Sequence, residues 1–279
     1  MTAETNDTRF CREHAFAGNP LFRVSGILAP QRPRQLTALY ALFDLVQRIG
    51  RRSQEEGAAR TQLAWWRQEC LADDPAQSRH PALCELHHGG QARLDRTAFA
   101  RLVDQVEHRL ERPAMTDVAA LRRFCAAQGR PLLELEAALG QADPDGIDEG
   151  LAARRGLWSL LTDCFVSGES PDPWWAPLSL LAREGLQRSE LFASGREAQT
   201  ARIIAEILAP EPGSSAESID ISNINQSLAH IYVMDLLVRR KHRSMRGSAP
   251  EGYPAVVARV RVREFLAAWS LARRINRQK

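Results

Sequence analysis

Apolar residues recur along this chain at intervals of three and four, and nowhere do they alternate in the sustained way that a half-buried strand requires. That periodicity restricts the chain to an all-α class. Glycine, proline and polar clusters punctuate it, and the spacing predicts helices near 33–50, 58–72, 81–90, 95–111, 116–128, 131–141, 145–166, 176–184, 195–209, 216–240 and 254–277. Pro33 suits a first helical turn, whereas Pro113 and Pro131 mark breaks between consecutive helices. The stretches 209–215 and 246–252 read as mobile loops, since neither flank can form a core of its own. One helical domain over 1–279 is the simplest organisation.

Two predicted helices are apolar on nearly every side, which places them at the centre of a bundle. In 33–50, Leu36, Leu39, Phe43 and Val46 form one stripe and Ala38, Leu42, Leu45 and Ile49 another, leaving Tyr40, Asp44, Gln47, Arg48 and Arg51 as the polar side. In 145–166, Ile147, Leu151, Trp158, Leu161 and Phe165 form one stripe, and Leu157, Leu160 and Cys164 a second. The two helices are expected to face each other across a central cavity. A polar strip on a central helix must meet a partner or a cavity, because burying unpaired charge costs several kcal/mol. The strip is therefore the candidate site.

Composition narrows the function classes. A net charge of +3 gives a nucleic-acid role no support, and no apolar run reaches the length of a membrane span. The polar start Met1 to Asp7 has neither the apolar core of a signal peptide nor the arginines of a transit peptide, so the expected compartment is the cytosol. Five separated cysteines without a C-x-x-C pair read as free thiols, in keeping with a reducing compartment. Of 37 basic residues only Lys241 and Lys279 are lysine. The runs Arg239 to Arg243 with Arg246, and Arg273 to Lys279, close helices, where cations offset the helix dipole and also favour a peripheral contact with anionic lipid on the inner face of a membrane.

Several segments resemble the squalene/phytoene synthase family, whose members are head-to-head prenyl transferases of the isoprenoid synthase fold. Phe10-Cys11-Arg12, Gly18 to Phe22, Leu28-Ala29-Pro30 and Leu36 to Leu42 resemble the family's opening. Leu63-Ala64-Trp65-Trp66-Arg67 resembles its L-x-W-W-R helix, and His80 to Leu83 its histidine-proline start of the next. Leu121 to Ala127 looks like its L-x-x-Y-C-x-x-x-A segment, while Gly156 to Thr162 and Ala176 to Leu186 look like its glycine-to-threonine helix and the segment after it. The resemblance is strongest over 10–195.

The resemblance implies two aspartate-rich motifs that hold magnesium against a departing diphosphate. Neither is intact. Counted from Tyr40-Ala41, the first motif falls on Gln47, Arg48 and Arg51, so three carboxylates are replaced by one amide and two guanidiniums. Counted from Thr162, the second falls on Ser167 to Pro171, with only Asp163, Glu169 and Asp172 nearby. Inverting one charge near a divalent cation turns attraction into repulsion, each on the order of 4 kcal/mol for unit charges about 4 Å apart at an effective dielectric near 20. The expectation is a non-catalytic, metal-free member with a lipid-binding or assembly role. In layout it also resembles the mitochondrial complex I assembly factor of this family, which shows a comparable loss.

The candidate ligand-binding residues are thus Tyr40, Asp44, Gln47, Arg48 and Arg51 in the first degenerate motif and Asp163, Ser167, Glu169 and Asp172 in the second. Arg48 and Arg51 present forks suited to a prenyl phosphate or phospholipid headgroup, with Asp44 one turn before Arg48 to hold it. The competing arrangement pairs Arg48 or Arg51 with Asp163 or Glu169. The alternative function is an active prenyl transferase on farnesyl or geranylgeranyl diphosphate, which needs magnesium; a protein partner belongs to the assembly reading. Cys84, His87 and His88 have helical spacing but no second cluster to complete a metal set. Glu55-Glu56 and Asp73-Asp74 are adjacent and so diverge around a helix. The pairs Trp65-Trp66 and Trp174-Trp175 read as core before tunnel lining.

Overall fold

The structure, a computed structural model, describes residues 5–17, 19, 21–24, 33–51, 55–71, 78, 80–87, 95–144, 147–166, 173–210 and 229–277. Among these residues every regular element is helical and none is a strand. The helices are α1 (Asn6–Ala17), α2 (Pro33–Arg51), α3 (Glu56–Leu71), α4 (Pro81–His87), α5 (Arg96–Leu110), α6 (Val118–Leu139), α7 (Glu149–Val166), α8 (Leu178–Glu184), α9 (Glu197–Ile207), α10 (Ala229–Arg246), α11 (Tyr253–Ala258) and α12 (Val262–Asn276).

Local chemistry explains where several of them begin. The Asp95 carboxylate accepts from the Thr97 and Ala98 amides at 2.9 and 3.0 Å and caps α5, and Asp117 accepts from the Ala120 amide at 2.7 Å and caps α6. Gly185, at φ 67°, ends α8 in the left-handed conformation that glycine adopts without strain.

The closest packing joins α6 to α7. A Cβ on Gly156 would collide with the Cys125 carbonyl, its carbon only 2.7 Å away, and one on Gly129 would collide with the Ala152 carbonyl and stand 2.7 Å from the Gly156 nitrogen. Two glycines thus let the backbones touch. This contact also accounts for a departure from the sequence reading, which divided 116–128 from 131–141 at Pro131. The helix runs through Pro131, which is buried inside α6. A mid-helix proline costs about 3 kcal/mol, and the packing of α6 along α7 offsets it.

Other boundaries also moved. A helix at 6–17 precedes those expected, and it packs on α2 and α4. It is anchored through Glu85, which accepts from the Thr5 and Thr8 hydroxyls and from Arg34 at 2.7 Å. The expected helix 254–277 is two, α11 and α12, with Arg259 at the break in extended conformation. Of the expected helix 216–240, the part before 229 lies outside the described residues, and the rest runs on to Arg246 as α10. α10 packs against α7, α9, α11 and α12, so it belongs to the same body.

A methyl group at Gly156 must push α6 and α7 apart. Gly156→Ala should therefore cost about 3 kcal/mol in urea unfolding. Gly57→Ala, whose added Cβ meets nothing within 4 Å, should be neutral or stabilising by up to about 1 kcal/mol.

Candidate functional site

α2 and α7 share no broad direct interface; α5 and α6 lie between them. Two polar bridges cross that interior. The first joins Tyr40 of α2, Glu136 of α6 and Arg155 of α7: the Tyr40 hydroxyl donates to Glu136, and Arg155 Nη2 donates to Glu136 Oε2 at 3.0 Å. The second joins Gln47 of α2, Arg109 of α5 and Asp163 of α7. Arg109 Nη1 donates to Gln47 Oε1 at 3.0 Å and stands 2.6 Å from Asp163 Oδ2. All six residues are buried.

Each member reaches its place by helical spacing. Tyr40 and Gln47 are seven apart on one face of α2, Arg155 and Asp163 eight apart on one face of α7, and Gln128 and Glu136 eight apart on α6. Gln128 is likewise buried and donates to the Gln105 carbonyl at 2.7 Å. The sequence reading found Tyr40, Gln47 and Asp163. It missed Arg109, Glu136 and Arg155, each of which sits in a helix whose pattern alone marks it as an ordinary surface charge. The signal that was available is the charge inversion itself, because a buried Asp163 requires a cation from elsewhere once the metal ligands are gone.

Burial pushes the Glu136 carboxyl above its ordinary value, while the Arg155 guanidinium and the Tyr40 hydroxyl act in the opposite direction. Tyr40 is held from its other side by Phe22, whose ring stacks on it at 4.0 Å with planes 7° apart. Trp158, central in α7, donates to Asn19 at 3.3 Å, which ties the segment after α1 into the same interior.

The remaining candidates divide. Asp44 is buried, and Arg48 Nε lies 2.7 Å from its Oδ2, so the pair expected within α2 forms. Among the described residues the cation beside Asp163 is Arg109, from a different helix; the Arg51 side chain and Glu169, which the competing arrangement also invoked, lie outside them. Ser167, Glu169, Asp172 and the Arg51 side chain lie outside the described residues.

These residues do not fit a divalent cation. Such a site needs several carboxylate oxygens and an excess of negative charge. Here Asp44 faces Arg48, Asp163 faces Arg109 and Glu136 faces Arg155, so each described carboxylate is already matched by a guanidinium. A magnesium ion would have to displace an arginine from within the core.

A cleft opens between α6, α7, α9 and α10. Its floor is apolar, formed by Leu121, Cys125, Ala153, Leu157, Ile207 and Leu208, and its walls carry Arg122, Arg154, Arg239, Arg243 and Arg246. The described lining contains no carboxylate. Asp235, behind the wall, holds Arg154 at 2.7 Å and Arg239 at 2.8 Å. The basic run of α10 is thus split between surfaces: Arg239 and Arg243 face the cleft, whereas Lys241 is wholly buried, 2.9 Å from Glu264.

The profile of the squalene/phytoene synthase family matches residues 19–210, more than half of the chain. The chain belongs to the squalene/phytoene synthase family. The match covers α2 to α9, and with them both polar bridges, while α10 to α12 lie beyond it. No curated protein matches the chain. The all-helical architecture agrees with the isoprenoid synthase fold of that family. Among the described residues no helix is long and apolar enough to cross a membrane.

Two measurements test this arrangement. Arg109→Met leaves Asp163 buried without its cation and should cost about 3–5 kcal/mol, most of it recovered when Asp163 is also replaced by leucine. The second concerns His242, buried in the cleft wall. Burial first, and the Arg154 guanidinium second, push its imidazole down to about 3 from an ordinary 6.5, against the pull of Asp235. The folded protein keeps His242 neutral while the unfolded chain takes a proton below about pH 6.5. Stability from this residue is therefore full above that value and is lost as pH falls towards 3, at up to about 1.4 kcal/mol per pH unit. In urea titrations across that window, His242→Phe should show a shallower slope than wild type.

Proposed function

We propose that this chain is a non-catalytic member of the squalene/phytoene synthase family that works by binding an anionic amphiphile, in a lipid-binding or assembly role, without a metal. The observation that carries the reading is Arg109. Its guanidinium lies between Gln47, at the first degenerate motif, and Asp163, beside the second. Catalysis of the family's kind needs cations that are free to neutralise a leaving diphosphate. A cation already matched by a buried carboxylate and an amide oxygen has little left to offer an incoming anion.

The arginine-walled cleft supports the choice of ligand. Guanidiniums recognise phosphate oxygens through paired N–H groups, and the apolar floor below them suits a hydrocarbon body. Binding on the strip itself, through Arg48, competes with the Asp44 pair.

Incubation with farnesyl or geranylgeranyl diphosphate and magnesium should release no diphosphate above blank; turnover well above blank overturns the non-catalytic reading in favour of an active prenyl transferase. Farnesyl monophosphate should bind in the presence of chelator. Arg243→Ala with Arg246→Ala should weaken that binding about tenfold or more, as expected for the loss of charge-assisted contacts, and Arg48→Ala should leave it unchanged. Equal affinity in wild type and the double variant overturns the cleft as the binding place.

A further inference from the structure

α12 is apolar on two opposite sides. Ala268, Leu271, Ala272 and Ile275 are buried and form the side that enters the core. On the other side Val262, Leu266 and Trp269 follow one another at four and three residues, and they are 75%, 53% and 43% exposed. Such spacing places them on one stripe. Of the five large apolar side chains exposed among the described residues, three are these.

The charge around the stripe has one sign. Arg259, Arg261, Arg263, Arg273, Arg274 and Arg277 are all exposed. The acidic residue of the helix, Glu264, is turned inward to Lys241 at 2.9 Å and so does not offset them. Arg273 lies over the Trp269 ring, 4.6 Å from its centroid, which sets a guanidinium at the edge of the apolar stripe. The positive surface continues onto α10, where Arg240 and Arg243 line a depression together with Arg261, Arg263 and the Lys241-paired Glu264.

We propose that α12 is the face by which the protein lies on an anionic lipid surface, with Val262, Leu266 and Trp269 entering the acyl boundary and the arginines pairing with headgroup phosphates. An apolar stripe bordered by arginines, with a tryptophan at its C-terminal end, has the chemistry of a helix lying in the plane of a membrane interface. A protein partner for the stripe needs a groove lined with acid. A second copy of this chain would bring arginines against arginines, which like-charge repulsion opposes. The proposal is independent of whether the interior is catalytic.

The test is co-sedimentation of the full chain with vesicles of phosphatidylglycerol and phosphatidylethanolamine, against vesicles of phosphatidylcholine alone. Partition into the anionic vesicles should be at least about tenfold stronger, and it should fall as salt is raised. Leu266→Glu with Trp269→Glu changes exposed side chains and should abolish binding while leaving the unfolding midpoint unchanged. Replacing Arg263, Arg274 and Arg277 by glutamine should remove the preference for anionic lipid. Equal binding to both vesicle types, or by wild type and the Leu266/Trp269 variant, overturns the proposal. So does a wild-type dimer in size-exclusion chromatography that the same variant converts to a monomer, since the stripe then belongs to a second copy.

Discussion

The guanidinium of Arg109 is the charge on which the interior depends. It is buried, touches Gln47 on α2 and Asp163 on α7, and comes from a helix that lies between them. Remove it and the buried Asp163 carboxylate loses the cation 2.6 Å from its Oδ2, in a medium where an unmatched charge is costly. Its companion, Glu136 with Arg155 and Tyr40, also links α2 to α7, with its middle residue on α6 instead of α5. In the proposed metal-free reading, the two bridges let arginine supply, within the chain, the positive charge that a metal would supply from outside.

That substitution sets the direction of everything else. A metal site is an excess of carboxylate waiting for a cation, and it can therefore exchange ligands with a diphosphate. Matched ion pairs leave no such excess. Among the described residues, arginines also gather on two other surfaces, the cleft between α6, α7, α9 and α10, and the outer side of α12. Both are arginine-rich and both set those arginines beside apolar side chains.

Much of the fold was legible in the sequence because the apolar periodicity of 33–51 and 149–166 is strong on several faces, and because Asp95 and Asp117 stand where helix caps belong. Apart from Phe10-Cys11-Arg12 and Gly18, the segments that carried the family resemblance lie within the matched residues 19–210. Pro131 misled, since its local cost is outweighed by packing that no local pattern reveals. The candidate site was half legible. Tyr40, Asp44, Gln47 and Asp163 stood out as polar residues on apolar helices, and all four are buried. Arg109 follows His108 in the last turn of α5, where a basic residue ordinarily needs no explanation beyond the helix dipole. Lys241 misled in the same way: within a run of five basic residues it is wholly buried, which only the placement of Glu264 on α12 accounts for.

The proposal of a metal-free interior rests on the matching of the described carboxylates Asp44, Asp163 and Glu136 by guanidiniums. Manganese, whose free ion gives a paramagnetic resonance signal that disappears on binding, measures this directly as a stand-in for magnesium. Titrated into the full chain with farnesyl diphosphate, it should give the same signal as with farnesyl diphosphate alone, and Asp163→Asn should leave that result unchanged. A protein-dependent loss of signal, saturating at a fixed number of ions per chain and abolished by Asp163→Asn, would contradict the account.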